Sequence, residues 1–308
     1  MEIRPDVIID FIDNDSTLPI AVIYVRPETN DIHYEKAIVM GINPYGDVIY
    51  LANLNGRLFI RDALILEHYN SQYKFAIYGK SEMEKYPDMI YEFENHFMTD
   101  FDSADIIGSF DAMLKLDISD EDMFNIIVSD KDFFKFYGQT VKRIHNHYVL
   151  NYDMPAILKR YTPKSNIFVI AVRLKDENTD FWDINQSIFI QLKSDNTPLI
   201  AEDNLRLLDW TEKIKRTYHI SRNHIMSMFD MLDFIITANG NHISFYNTAL
   251  GKILLDVYGY TDDDLIRLKN DPLIYIDVKG NKKLVNIIEE GNGKSMNECA
   301  ELISRVIW

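Results

Sequence analysis

Asp6–Val25 reads DVIIDFIDNDSTLPIAVIYV. Two runs dense in Val and Ile, Asp6–Ile12 and Ile20–Val25, flank the polar cluster Asp13-Asn14-Asp15-Ser16. β-branched runs of this length bounded by turn residues predict strands. Working outward, His33–Ile42 alternates weakly and the turn Asn43-Pro44-Tyr45-Gly46 follows. Asp47–Leu54 then leads into Asn55-Gly56, a strong hairpin signal that makes Arg57–Ile60 the returning strand. Tyr73–Tyr78 closes the series at Gly79. Residues 1–79 are therefore expected to form a β-rich module, a small antiparallel barrel or sandwich.

Residues 80–150 change period. Met83, Tyr86, Ile90, Phe93 and Phe97 step by three and four, the spacing of one helix face, with Pro87 at a first-turn position or a break. Ile106, Phe110, Met113 and Leu114 repeat the step, and Phe133, Phe136, Val141 and Ile144 extend the stripe. Ser119 with Asp122 three residues on marks a helix start. This middle segment is expected to hold three to five helices.

Residues 151–308 look mixed. Ile167–Leu174 and Ser187–Leu192 read as strands, and Leu205–Tyr218 as a helix, with Ser221 capping another to about Met231. Phe234–Ala238 and His242–Tyr246 predict a hairpin around Asn239-Gly240. Thr248–Tyr258 and Asp262–Lys269 are helical, and Leu273–Val278 and Lys282–Ile288 flank a turn. Ser295 and Glu298 form a capping box for a last helix. The predicted class is α+β: a β-rich module (1–79), an acidic helical middle (80–150) and a mixed C-terminal module with hairpins (151–308).

Charge sharpens the functional choice. The 308 residues carry 48 acids against 32 bases, a net charge of −16. That balance argues against a general nucleic-acid binder, which needs a surplus of Lys and Arg. The excess is concentrated: residues 82–132 hold 15 acids and three bases, Lys85, Lys115 and Lys131. An acidic helical face of this kind steers and selects a basic partner. The candidate partner-binding residues are Glu82, Glu84, Asp88, Glu92, Glu94, Asp102, Asp105, Asp111, Asp120, Glu121 and Asp122. A plain solvated surface is the competing reading, because first-turn acids such as Asp120, Glu121 and Asp122 already complement a helix dipole.

No catalytic or ligand motif is complete, so neither a catalytic residue nor a cofactor or metal is assigned. Glu290-Gly291-Asn292-Gly293-Lys294-Ser295 sits between a strand-like run and a helix, as a phosphate loop does. Its first glycine position is Ile288, and Glu289 and Glu290 repel phosphate. Asp176–Asp180 alternates oxygen ligands like a calcium loop, but Phe181 and Ser187 stand where Gly and Glu are required. Asp10, Asp13 and Asp15 read as a turn, and His145 and His147 fall on different helix faces. Cys299, the sole cysteine, excludes an intrachain disulfide and reads as a packed core thiol among acidic neighbours.

Lys213, Lys215, Arg216 and Arg222 are the one region suited to local nucleic-acid contact. No secretory pattern opens the chain, and no apolar run reaches the ~18–20 residues that span a bilayer. The usage of 41 Ile and 24 Asn against 13 Ala matches AT-rich genomes, as in some bacteria and many of their phages. The expectation is a soluble, cytoplasmic, non-enzymatic interaction or assembly protein that meets a basic surface or neighbouring subunits. It takes the form of a phage virion, tail or connector subunit, or of a host-directed factor. The alternatives are an enzyme whose site is assembled from distant residues and a local nucleic-acid binder.

Overall fold

The computed structural model describes residues 3–12, 17–194 and 217–308. The fold is mixed α+β, with three sheets among the described residues. The chain divides into two compact units that are interleaved in sequence. The first comprises Met1–Leu64, Tyr161–Lys269 and Glu290–Arg305, and the second Ile65–Arg160, Asn270–Glu289 and Val306–Trp308. The second unit's main segment thus interrupts the first in the chain, and this partition cuts across the three-part division at 79 and 150.

The first unit is organised by a five-stranded antiparallel sheet. Its strands are β1 (Asp6–Ile9), β2 (Ile20–Val25), β3 (Gly46–Asn55), β8 (Asn166–Leu174) and β9 (Tyr218–Ile220), in the order β1-β3-β8-β2-β9. Helix Ile32–Ile42 joins β2 to β3, and helix Phe181–Ser194 lies between β8 and β9. Strand, helix, strand, then strand, helix, strand in the order β3-β8-β2-β9 is a split βαβ arrangement of the ferredoxin-like type, here with β1 added at one edge.

One face packs Ala21, Ile23 and Val25 of β2 and Ile170 and Val172 of β8 against Ala37, Ile38, Ile184 and Ile188 of the two helices. The helix His224–Phe234 packs on β2, and Tyr50 of β3 meets Ile236: its hydroxyl donates to the Ile236 carbonyl at 2.8 Å. All six residues of β2 are buried. That explains why this strand is apolar without a break, since a strand covered on both faces has no polar side.

The N-terminal strands therefore do not close into a barrel or sandwich of their own. They need β8, more than 100 residues on in the chain. Three of the strands expected in residues 1–79 are helices instead. His33–Ile42 belongs to the helix Ile32–Ile42, started by Asp31, whose carboxylate accepts from the His33 amide at 2.9 Å; its Tyr34, Ala37, Ile38 and Ile42 share a buried face. Asn55-Gly56 makes no hairpin. Asn55 caps the helix Gly56–Arg61, accepting from the Arg57 amide at 3.1 Å. Tyr73–Tyr78 lies in the helix Asn70–Tyr78, which ends at Gly79 with φ +55°.

In the C-terminal part, Ser187–Leu192 also turns out helical. Phe181, Ile184, Ile188 and Leu192 are its buried stripe, at the three- and four-residue spacing that a dense Ile run conceals. The hairpin expected at 234–246 reduces to one bridge, Ile236 to His242. Asn223, two residues beyond the expected Ser221, caps the helix His224–Phe234 by accepting from the Met226 amide. The capped helices at Thr248, Thr261 and Ser295 form as expected, the last with its full capping box. The helix expected at Leu205–Tyr218 lies almost wholly outside the described residues, as do Asp13–Ser16.

The second unit is not purely helical. It contains the helices Pro87–Phe97, Ser109–Leu116 and Asp120–Asn125, with Pro87 at the first turn and Ser119 as N-cap, as the sequence indicates. It also contains a four-stranded sheet of β4 (Asp105–Gly108), β5 (Phe133–Phe136), β6 (Gln139–Ile144) and β7 (His147–Leu150), ordered β4-β7-β6-β5. Phe133 to Ile144 is therefore a hairpin rather than a helical stripe. Tyr137 and Gly138 both have positive φ, the primed turn that matches strand twist.

A three-stranded sheet joins β10 (Leu273–Val278), β11 (Asn281–Asn286) and β12 (Val306–Ile307). Phe93, Phe97, Phe101, Phe136 and Tyr148 form the aromatic centre of the unit's core, with Leu273 and Leu284 from the three-stranded sheet. Phe93 meets Tyr148 edge-on at 5.0 Å, a preferred aromatic geometry.

Candidate functional site

The acidic residues of the second unit divide by what they touch. Glu82 and Asp120 are buried, so their charge is used internally. Glu82 pairs with Lys85 at 2.6 Å, and Asp120 accepts from Lys159 at 2.6 Å. Glu121 lies 3.4 Å from Arg160, whose guanidinium also covers the Phe124 ring. Asp105 accepts from Lys115 at 2.6 Å and contacts His147 at 2.8 Å. The Lys115 ammonium, seconded by His147, holds the Asp105 carboxyl below its usual range. Glu94 accepts from the Phe101 amide and Asp122 from the Ser119 hydroxyl.

Asp88 accepts from the Tyr275 hydroxyl at 3.0 Å. Burial, and then that bond and the Asp88 charge, push the Tyr275 phenol up. Tyr137 is pushed up by burial and by the charges of Glu92 and Asp88. Glu84, Glu92, Asp102 and Asp111 make no side-chain hydrogen bond or ion pair among the described residues, and Glu84, Asp102 and Asp111 are exposed. The acidic surface that faces solvent is thus smaller than the sequence total, and Lys159, Arg160 and Arg143 from outside the stretch pair with Asp120, Glu121 and Asp132. Of the three bases in residues 82–132, Lys85 and Lys115 are already paired internally. Tyr91, Met98, Leu114 and Ile127 stand exposed within the same stretch, Met98 at 86% and Leu114 at 84%.

The first unit holds a second concentration of chemistry, inside. Asp230 is 1% exposed on the helix His224–Phe234. Its Oδ2 accepts from the Ser221 hydroxyl at 2.7 Å and meets His219 Nε2 at 2.8 Å. His219 stacks on Tyr24 at 4.7 Å, and the Ser221 Oγ accepts from the Val22 amide. Serine and histidine both converge on the carboxylate, so they do not form a nucleophile–base relay. At the start of the same helix, His224 is buried, edge-on to Phe181 at 5.2 Å, and burial depresses its pKa to about 4. Sequence reading connected neither His219 nor His224 to Asp230. A His–x–Ser strand end followed by an Asp nine residues later was the available signal.

Lys213, Lys215 and Arg216 lie outside the described residues, and Arg222 is exposed. The string Glu290–Ser295 is a turn rather than a phosphate loop: the Ser295 hydroxyl accepts from the Glu298 amide, and Asn292 accepts from Asn223 at 2.7 Å. Asp176 accepts from the Asn178 amide in a tight local turn.

Cys299 is fully buried, its thiol aimed at the Gly291 and Lys294 carbonyls, and burial pushes it up to about 12. Native protein at pH 8 should therefore react with iodoacetamide far more slowly than urea-unfolded protein. Equal rates, read by mass spectrometry, would contradict this packing.

Among the described residues, no helix is long and apolar enough to cross a membrane. Comparison with protein-family models, with curated proteins and with solved structures returned no match.

Proposed function

We propose that the protein is a non-enzymatic interaction or assembly protein whose acidic unit docks on a basic partner surface. The observation that supports this most is the set of acids in residues 82–132 that stay exposed with no ion pair among the described residues. Two of the stretch's three bases are spent on Glu82 and Asp105, while Glu84, Asp102 and Asp111 stay exposed. Such a field raises the encounter rate with a basic surface and disfavours acidic competitors. Exposed Tyr91, Met98, Leu114 and Ile127 supply the apolar contact that charge alone cannot. The partner is a basic protein surface, either a neighbouring subunit of a phage virion, tail or connector or a cytoplasmic host protein.

The test replaces Glu84→Gln, Asp102→Asn and Asp111→Asn together. These side chains are exposed and have no side-chain partner among the described residues, so stability should hold. Binding to an oligolysine peptide, the basic probe, should weaken by about tenfold at low salt, since each exposed charge contributes about 0.2–1 kcal/mol. The salt dependence should flatten in parallel. Cross-linking with mass spectrometry from the native source should place the partner on the same surface. Unchanged affinity and salt slope in the triple variant would reject the reading.

A further inference from the structure

Three Asn-Gly pairs occur in the chain, Asn55-Gly56, Asn239-Gly240 and Asn292-Gly293. In such a pair the glycine amide nitrogen can attack the asparagine side-chain amide, because no Cβ shields the approach and the glycine backbone turns freely. The attack needs a glycine amide that is not spent on a hydrogen bond, and room for the chain to turn. The three pairs are equal in sequence and unequal in structure.

Asn55-Gly56 meets neither need. Gly56 is buried, and its amide donates to the Ser165 carbonyl at 2.7 Å. The Asn55 side chain is held at both atoms: Oδ1 accepts from the Arg57 amide at 3.1 Å, and Nδ2 donates to the Arg4 carbonyl at 3.3 Å. Asn239 is exposed, but the Gly240 amide donates to the Thr237 carbonyl at 2.7 Å.

Asn292-Gly293 meets both. Both residues are exposed, and among the described residues nothing lies within 4 Å of a Cβ built on Gly293. The Gly293 amide makes no hydrogen bond among the described residues. The Asn292 amide is also polarised for attack. Asn223 Nδ2 donates to Asn292 Oδ1 at 2.7 Å, which draws electrons from the amide carbon. That orientation follows from the network, because Asn223 spends its own Oδ1 on the Met226 amide at 2.9 Å and turns its NH₂ to Asn292. Asn292 Nδ2, the leaving group, has no partner among the described residues.

We propose that Asn292 is a site of spontaneous deamidation. The Gly293 amide nitrogen gives its proton to water or hydroxide and bonds to the Asn292 side-chain carbonyl carbon. The bond from that carbon to Nδ2 breaks, and the nitrogen takes a proton from solvent and leaves as ammonia. The succinimide so closed is opened by water at either carbonyl, giving aspartate or isoaspartate at position 292. No oxidant, reductant or cofactor enters the step. Either product adds one negative charge beside the Asn223 cap of the helix His224–Phe234. Isoaspartate also lengthens the main chain between the Gly291 and Lys294 carbonyls, which face the Cys299 thiol.

The experiment incubates the native full chain at pH 8 and follows deamidation by mass spectrometry of tryptic peptides, with unincubated protein as the blank for digestion. Cleavage after Lys and Arg puts the three pairs on three separate peptides. Asn292 should be modified first, roughly fivefold or more ahead of Asn239, the factor that one retained backbone hydrogen bond supplies. Asn55 should come last. In urea the three rates should converge, because only the fold separates them. Asn239 or Asn55 modified as fast as Asn292 in the native protein would overturn the proposal, and so would an unchanged rate ratio in urea. An Asn292 that stays intact while the urea-unfolded chain is modified would overturn it too. On isoelectric focusing, the incubated parent should gain an acidic form that Asn292→Gln, an exposed change, does not. Equal acidification of the two proteins would count against the site.

Discussion

Asp230→Ala should cost about 3–5 kcal/mol of folding stability, the range for removing one member of a buried, charge-assisted set. The Asp230 carboxylate sits almost entirely out of water and serves two donors from the β9 end of the sheet, His219 at 2.8 Å and Ser221 at 2.7 Å. Alanine would leave both buried without that acceptor, and each orphaned group costs about 1–3 kcal/mol. The same contact fixes an element of the fold. β9 is three residues long and pairs with β2 through Ile23, Tyr24 and Val25, so Asp230 ties a short edge strand to the helix behind it. Asp230→Asn retains an acceptor of the same shape but loses the charge, and should cost less, about 1.5–3 kcal/mol. Urea unfolding of the three proteins checks both the size and the order. An alanine variant within about 1 kcal/mol of the parent would show that the network carries little of the fold's stability.

The elements that local pattern announces are the ones that form where expected. β2, β3, β8 and β10 are dense in Val, Ile and Leu, and each is bounded by turn residues. Ser119, Thr261 and Ser295 cap helices as their spacing indicates. The failures share a cause. Ile188 and Ile190 suggest a strand, yet the long-range demand to cover β8 with the stripe Phe181–Ile184–Ile188–Leu192 makes a helix. Phe133, Phe136, Val141 and Ile144 fit a helical step by coincidence, while the Tyr137-Gly138 turn decides for a hairpin. The two-unit organisation was illegible for the same reason. β3 pairs with β8 across the inserted segment, and nothing near either strand records that partner.

The site follows the same division. Which residues are acidic is plain in the sequence, but which remain available is set by distant chain. Asp120 and Glu121 are paired with Lys159 and Arg160, and Asp88 accepts from Tyr275. Asp105, which charge alone would offer to a partner, is held by Lys115 and His147. That is why the exposed set Glu84, Asp102 and Asp111 makes the sharper test of partner binding.

Gly56→Ala should be as damaging as the loss of Asp230, for a steric rather than an electrostatic reason. A Cβ at Gly56 would fall 1.7 Å from the Thr162 carbonyl oxygen, and 2.7 Å and 2.8 Å from the carbonyl carbons of Thr162 and Pro163. All three neighbours are backbone, so no side-chain rotation relieves the clash. The backbone itself is pinned from both sides. The Gly56 amide donates to the Ser165 carbonyl at 2.7 Å, and the Thr162 carbonyl accepts from the Ser165 amide at 3.0 Å. The contact lies just beyond the last register pair of β3 and β8, Asn55 with Asn166, where the chain leaves one strand and enters the other. Relieving it requires parting two strands of the central sheet, a cost of at least about 3 kcal/mol, the upper end for overpacking. Gly259→Ala separates this from backbone strain. Gly259 has φ +72° and open space around a built Cβ, so it should lose about 1–2 kcal/mol through conformation alone. Gly56 is not in the left-handed region, so its whole penalty is the close approach. If chemical denaturation ranks Gly259→Ala as the more destabilised of the two, the tight crossing of β3 and β8 is wrong.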